Sequence, residues 1–169
     1  MSTTVAETIL GGAGAGVVAT AAMSVPMLLA GELGAMGEQP PKRIVRTVLG
    51  LAGEDDASEG GQDVAAALAH LAFGAGGGAA FALAHRALRL PVPAAVQGAV
   101  FGLGVWATSY KGWIPALGAL PDADADRPDR QRTMIAAHVV YGVVLGALEG
   151  RRQRRSEAGD HDAAGIDDR

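Results

Sequence analysis

Two histidines are the residues best placed to do chemistry. His70 and His138 each stand inside an otherwise apolar run, in Ala69-His70-Leu71-Ala72-Phe73-Gly74 and Ala137-His138-Val139-Val140-Tyr141-Gly142. Each is about 9–10 Å inside its helix end, counted from Asp63 and Arg132 at 1.5 Å per residue. An imidazole there can carry a proton or ligate a metal. Equally, it can be a neutral side chain hydrogen-bonded to Thr20, Thr108, Ser109 or a backbone carbonyl, and that structural reading is favoured. Two His ligands without a nearby carboxylate make a poor metal site, although Glu32 can approach from the loop side. His70, His138, Thr20 and Thr108 therefore form a candidate polar site inside the membrane, with no metal or cofactor assigned. The sequence has no phosphate loop, no His-Glu-x-x-His, no nucleophile motif and no charged dyad within an apolar run, so an enzyme is not expected.

The apolar runs that hold these residues set the architecture. Residues 8–31 carry no charge, 64–84 are broken only by His70, and 92–110 have Gln97 as the one strongly polar residue. Residues 133–148 carry His138 and are short for a hydrocarbon core of ~30 Å. That run needs Gln131 and Arg132 to snorkel, or a locally thin bilayer. The expected fold is an all-α membrane protein with four transmembrane helices and a short interfacial helix. Residues 1–150 form the transmembrane domain and 151–169 a disordered cytoplasmic tail. Residues 1–7 have no basic start, so the first run reads as a span and not as a leader.

Composition agrees. Of 169 residues, 49% are hydrophobic but only 4% are aromatic, and there are 25 glycines, about twice the usual share. Small residues suit helices that touch backbone to backbone in lipid. With 14 basic against 18 acidic residues, a nucleic-acid surface is excluded. The absence of cysteine removes disulfides and thiolate metal sites.

An internal repeat is visible. Gly14-Ala15-Gly16-Val17-Val18-Ala19-Thr20 matches Gly102-Leu103-Gly104-Val105-Trp106-Ala107-Thr108, the two His blocks match, and Leu33-Gly34-Ala35-Met36 matches Leu117-Gly118-Ala119-Leu120, in one order. Residues 8–84 and 92–148 thus read as two parallel two-helix repeats about an axis along the membrane normal. By that equivalence the first helix should leave the membrane core near Ala22 or Met23 and kink at Pro26. Each run holds a Gly-x-x-x-Gly pair: Gly12/Gly16, Gly74/Gly78, Gly98/Gly102 and Gly142/Gly146. These serve helix packing, inside the bundle or in a homo-oligomer.

Between the spans, Pro40-Pro41 starts a helix with Ile44, Val45, Val48 and Leu49 on one face and Lys42, Arg43 and Arg46 off it, as in a helix lying on headgroups. Residues 54–63 and 121–132 read as polar loops. The Arg151-Arg152-Gln153-Arg154-Arg155 cluster and the short turn with Arg86 and Arg89 place both termini in the cytoplasm.

The Gly/Ala-rich first helix, the Pro40-Pro41-Lys42-Arg43 element and the histidines heading helices two and four resemble the YagU-like family of uncharacterised prokaryotic inner-membrane proteins, over about residues 8–150. The resemblance implies a four-helix inner (plasma) membrane protein with cytoplasmic termini and no assigned activity. Two functions remain: a structural or accessory protein working through helix faces, or a small homo-oligomeric transporter or channel with a polar site on the pseudo-two-fold axis. Beyond the lipid bilayer and a second copy of itself, the sequence names no partner.

Overall fold

The computed structural model describes residues 4–53, 58–121 and 125–167, and these are helical with no strand among them. Helix α1 (Val5–Glu32) opens with a capping box. The Glu7 amide donates to Thr4 Oγ1 at 3.2 Å, and the Thr4 amide donates to Glu7 Oε2 at 2.7 Å. This reciprocal pair satisfies amides that an open helix end leaves bare. Helix α2 is Pro40–Leu51, α3 is Glu59–Leu88 with Ser58 as its cap, and α4 is Ala94–Thr108. A π-helical turn, Ser109–Trp113, joins α4 without a break to the single turn α5 (Ile114–Ala116). Helix α6 is Pro128–Asp167.

Three of these helices are long and apolar enough to cross a membrane: α1, α3 and the Pro128–Ser156 part of α6. They are apolar all round, so packing leaves much hydrophobic surface outside: Leu10 is 72% exposed, Leu68 62% and Val143 40%. In water such a surface would aggregate; against lipid it is satisfied.

Several boundaries differ from expectation. Helix α1 is continuous through Pro26 to Glu32 and buries Met27 and Ala30. Proline costs that helix one hydrogen bond, which packed neighbours tolerate in an apolar setting. The fourth segment is not short, because its helix begins at Pro128, a favoured first position, and extends beyond Leu148. Its backbone stays helical through the Arg cluster to Asp167, in the stretch where the sequence predicts an unordered tail. The polar stretch 54–63 is half helix, since α3 starts at Glu59; residues 54–57 lie outside the described ones.

Helices α1 and α3 pack together, as do α4 and α6, and α6 also lies along α1. Glycines make the first two contacts. A Cβ on Gly16 would strike Gly74 O, and one on Gly78 would strike Gly12 O. In the second pair, a Cβ on Gly98 would strike Gly142 O, one on Gly102 would strike His138 O, and one on Gly146 would strike Ala94 O. Backbone therefore lies on backbone in both seams. Nearer the ends of α1 and α4, larger side chains fill the interior: Met27, Met36, Ile114, Leu120 and Met134 are all buried.

Both α1 and α5 end in the same way. Gly34 and Gly118 are left-handed, with φ of 72° and 71°. Ala35 donates to Ala30 O at 2.9 Å and Ala119 to Ile114 O at 3.3 Å, which is the Schellman arrangement. The residues that follow, Met36 and Leu120, are buried. This end of the molecule, called the cap end below, also carries α2, which packs on α3. Lys42 Nζ lies 2.8 Å from Asp63 Oδ1, and that bond holds the ammonium above its ordinary value. Arg46 grips Glu38 through two bonds of 2.7 Å.

The seam gives a direct contrast between neighbouring glycines. Gly16→Ala should lower stability by about 1–3 kcal/mol through overpacking. Gly14→Ala meets nothing within 4 Å and should be neutral or gain up to ~1 kcal/mol of helix propensity. Unfolding by SDS titration of the two variants in detergent checks this; equal losses would remove the seam as the cause.

Candidate functional site

The structure separates the residues grouped by the sequence. His138 is buried on α6, with Nδ1 2.8 Å from Met134 O, which requires the proton on Nδ1. His70 lies within electrostatic reach of His138, and its Nε2 is buried with no hydrogen-bond partner. The two threonines do not join them. Thr20 is buried in the α1–α3 seam, but its hydroxyl donates to Gly16 O at 2.8 Å. Thr108 is exposed and donates to Gly104 O at 2.9 Å. Ser24 and Ser109 likewise turn back on Thr20 O and Val105 O. A hydroxyl in an apolar helix satisfies itself most cheaply on the carbonyl four residues earlier. Only the backbone-carbonyl alternative is realised, and by one histidine.

Glu32 does not come near this level; it is exposed at the end of α1. Among the described residues no three His, Asp or Glu side chains are close enough to share a metal ion. The other polar contact at mid-bundle is Tyr141 Oη, which donates to Gly74 O at 2.8 Å and ties α6 to α3. The packing glycines Gly12, Gly16, Gly74, Gly78, Gly98, Gly102, Gly142 and Gly146 all lie in the two seams.

A cluster at the cap end has stronger chemistry. The π-helical turn buries Tyr110, whose hydroxyl donates to Asp126 Oδ2. Asp126 Oδ1 accepts from Arg130 Nη1 at 2.8 Å and from the Arg127 amide at 2.7 Å. Arg130 Nε donates to Met36 O at 2.9 Å, and Arg127 Nη2 to Gly34 O at 3.1 Å. The ion-pair side chains are 2% and 8% exposed, so this is a buried pair. Two arginines from the start of α6 thus fill the carbonyls beyond α1, where the helix end also favours positive charge. Trp106 stacks on Tyr110 with ring centres 6.0 Å apart, and Lys111 Nζ sits 5.9 Å from the Trp106 ring centre.

Sequence reasoning read residues 121–132 as loop and missed this cluster. The signal was present in Asp126-x-x-x-Arg130, an i,i+4 pair following Pro121. Nothing in the local sequence says that the pair is buried, because burial comes from the two cap loops closing over it. Residues 122–124 lie outside the described ones.

The described residues make an all-helical protein with three helices long and apolar enough to cross a membrane, whose buried charges tie helix ends together. The chain belongs to a family of unknown function, DUF6789, which matches residues 6–159. No curated protein and no solved structure matches it.

Removing Asp126 should leave Arg130 buried without its counter-ion, and breaking such a pair costs about 3–5 kcal/mol. Asp129→Ala, which breaks the exposed pair with Arg132, should fall within about 0.5 kcal/mol of the parent. Unfolding free energies of the two variants measure the difference; matching values would show that the cap-end pair carries no strength.

Proposed function

We propose that the chain is an integral inner-membrane protein of four spans, built as two parallel two-helix repeats, with both termini in the cytoplasm and a structural or accessory role exercised through helix packing, without enzymatic activity. The observation that carries this reading is the pair of glycine seams. Each brings two helices into backbone contact, while the hydroxyls of Thr20, Ser24, Thr108 and Ser109 are occupied on their own helices. What the helix faces have left to offer is shape.

The fourth span is the continuous helical run 94–116, which includes the π-helical turn. At 1.5 Å per residue it reaches about 34 Å, enough for the hydrocarbon core. The repeat is supported by matched contacts: Gly12 meets Gly78 as Ala94 meets Gly146, and Gly16 meets Gly74 as Gly98 meets Gly142. This places Thr20 on Gly102 rather than on Thr108, six residues from the register of the sequence motif. Gly14 and Gly104, which carried that motif, have nothing within 4 Å of their Cβ positions. From Gly102 to Leu117 the second copy is two residues longer than the first from Thr20 to Leu33. The π-helical turn Ser109–Trp113 is where such an excess can be absorbed without breaking the helix.

The YagU-like resemblance supports the inner membrane, and the Arg cluster with Arg86 and Arg89 supports the orientation. The helix faces pointing outward allow a homo-oligomer.

The transporter reading gives the opposite answer to one experiment. On the packing account the protein resists alkaline extraction from membranes, and His138→Ala loses thermal stability because it removes a buried side chain and its bond to Met134 O. His70→Ala, which breaks no hydrogen bond, stays folded and changes no ion or proton flux in proteoliposomes. A flux in the parent protein that either variant abolishes while remaining folded would make the histidines a transport site.

A further inference from the structure

At the end of the bundle opposite the caps, α3 and α4 are joined by a short turn and barely touch, whereas α1 and α6 lie together. The gap is a cavity of about 660 Å³. One wall is held rigid: His85 Nδ1 lies 3.0 Å from Gln97 Oε1, and Gln97 Nε2 donates to Val92 O at 2.6 Å. Phe81 stacks on the other side of the His85 ring. The floor is Glu149, 3% exposed, whose Oε2 accepts from Arg152 Nε at 3.2 Å and Nη2 at 2.9 Å. Arg152 is itself anchored by Nη1 to Glu7 O at 3.0 Å.

What lines this cavity is unbalanced in two ways. Glu149 Oε1 is buried and accepts nothing, although a buried carboxylate oxygen without a donor is costly. Arg89 and Arg154, also in the lining, make no side-chain hydrogen bond or ion pair among the described residues. A ligand answering both must present anionic oxygens to arginine forks and a donor to Glu149. A phosphate does the first, often bidentately. A hydroxyl or ammonium two or three bonds beyond the phosphate does the second.

We propose that the cavity between α3, α4 and α6 binds a phosphate ester bearing a hydrogen-bond donor, its phosphate held by Arg89 and Arg154 and its donor by Glu149. Phosphoglycerol has this chemistry, and it occurs both as a lipid headgroup and as a soluble ester. The lipid source rests on the membrane reading above; the site itself does not. A second groove, of about 360 Å³, meets the same Glu149 and Arg152 from the other side, with Gly11, Gly14, Ala15 and Val18 along it and Arg151 and Arg155 at its rim. An acyl chain fits such a surface, and anionic lipids favour the basic end of a membrane protein.

The test uses the full-length protein in neutral detergent, with native mass spectrometry and titration against phosphatidylglycerol, phosphatidylcholine and glycerol 3-phosphate. Phosphatidylglycerol should bind at least about tenfold tighter than phosphatidylcholine, which offers the arginines the same phosphate but whose trimethylammonium group has no hydrogen to donate to Glu149. Arg89→Gln with Arg154→Gln should lose at least about tenfold of the phosphatidylglycerol affinity with an unchanged melting temperature, since neither side chain holds the fold. Each single variant should lose part of it, and Arg132→Gln, at the cap end, none. Glycerol 3-phosphate binding that the double variant loses would assign a soluble ester; phosphatidylglycerol binding alone would assign the lipid. Equal affinity for the two lipids with no glycerol 3-phosphate binding, or a double variant that binds like the parent, overturns the inference. A protein that fractionates with membranes yet gives that result leaves the proposed function standing. One that binds glycerol 3-phosphate but stays out of membranes overturns the proposed function alone.

Discussion

Contact between backbones at the two glycine seams is the constraint from which the rest of the structure follows. In lipid there is no hydrophobic gain in bringing helices together, so association depends on dispersion over surfaces that fit closely. Gly16 against Gly74 and Gly98 against Gly142 give that fit because neither side has a side chain in the way. The closeness has consequences along the helices. Away from the seams, toward the caps, Met27, Met36, Ile114 and Met134 take up the interior, and flexible methionines suit irregular gaps.

Charge is confined to the two ends, and each end handles it differently. At the cap end, Asp126 and Arg130 are paired out of water and joined to Tyr110 and to the carbonyls beyond α1. That network connects α1, the π-helical turn and the start of α6, so it holds the two helix pairs in one arrangement. At the other end, arginines surround an open cavity lined from α3, α4 and α6. Helix α6 packs on both α1 and α4, as α1 packs on both α3 and α6, so the two glycine-seamed pairs are joined through α1 and α6.

Much of this is legible in the sequence. The apolar runs, the eight packing glycines and the amphipathic helix after Pro40-Pro41 are local patterns, and local patterns survive into structure. The failures are of another kind. Pro26 reads as a kink toward the interface because the local rule ignores the packing that keeps α1 going to Glu32. Thr20 and Thr108 share a Gly-Thr motif but not an environment: Thr20 is buried in the α1–α3 seam and Thr108 is exposed, and in a chain so rich in glycine the outward-facing Gly14 and Gly104 resemble the seam glycines. The π-helical turn has no sequence signature of its own, and with it went the burial of Tyr110. Asp126, Arg130 and Glu149 gain their environments only when distant segments meet.

The account stands on an even number of crossings, and the chain, having no native cysteine, allows that to be measured directly. Single cysteines at Ser58, Leu90, Leu117 and Arg155 would be probed in intact cells with a membrane-impermeant maleimide. The four-span account predicts that Ser58→Cys and Leu117→Cys react together from outside, while Leu90→Cys and Arg155→Cys react only after permeabilisation. If Leu90→Cys and Leu117→Cys react from the same side, the run 94–116 does not cross the membrane, and the two-repeat bundle is contradicted.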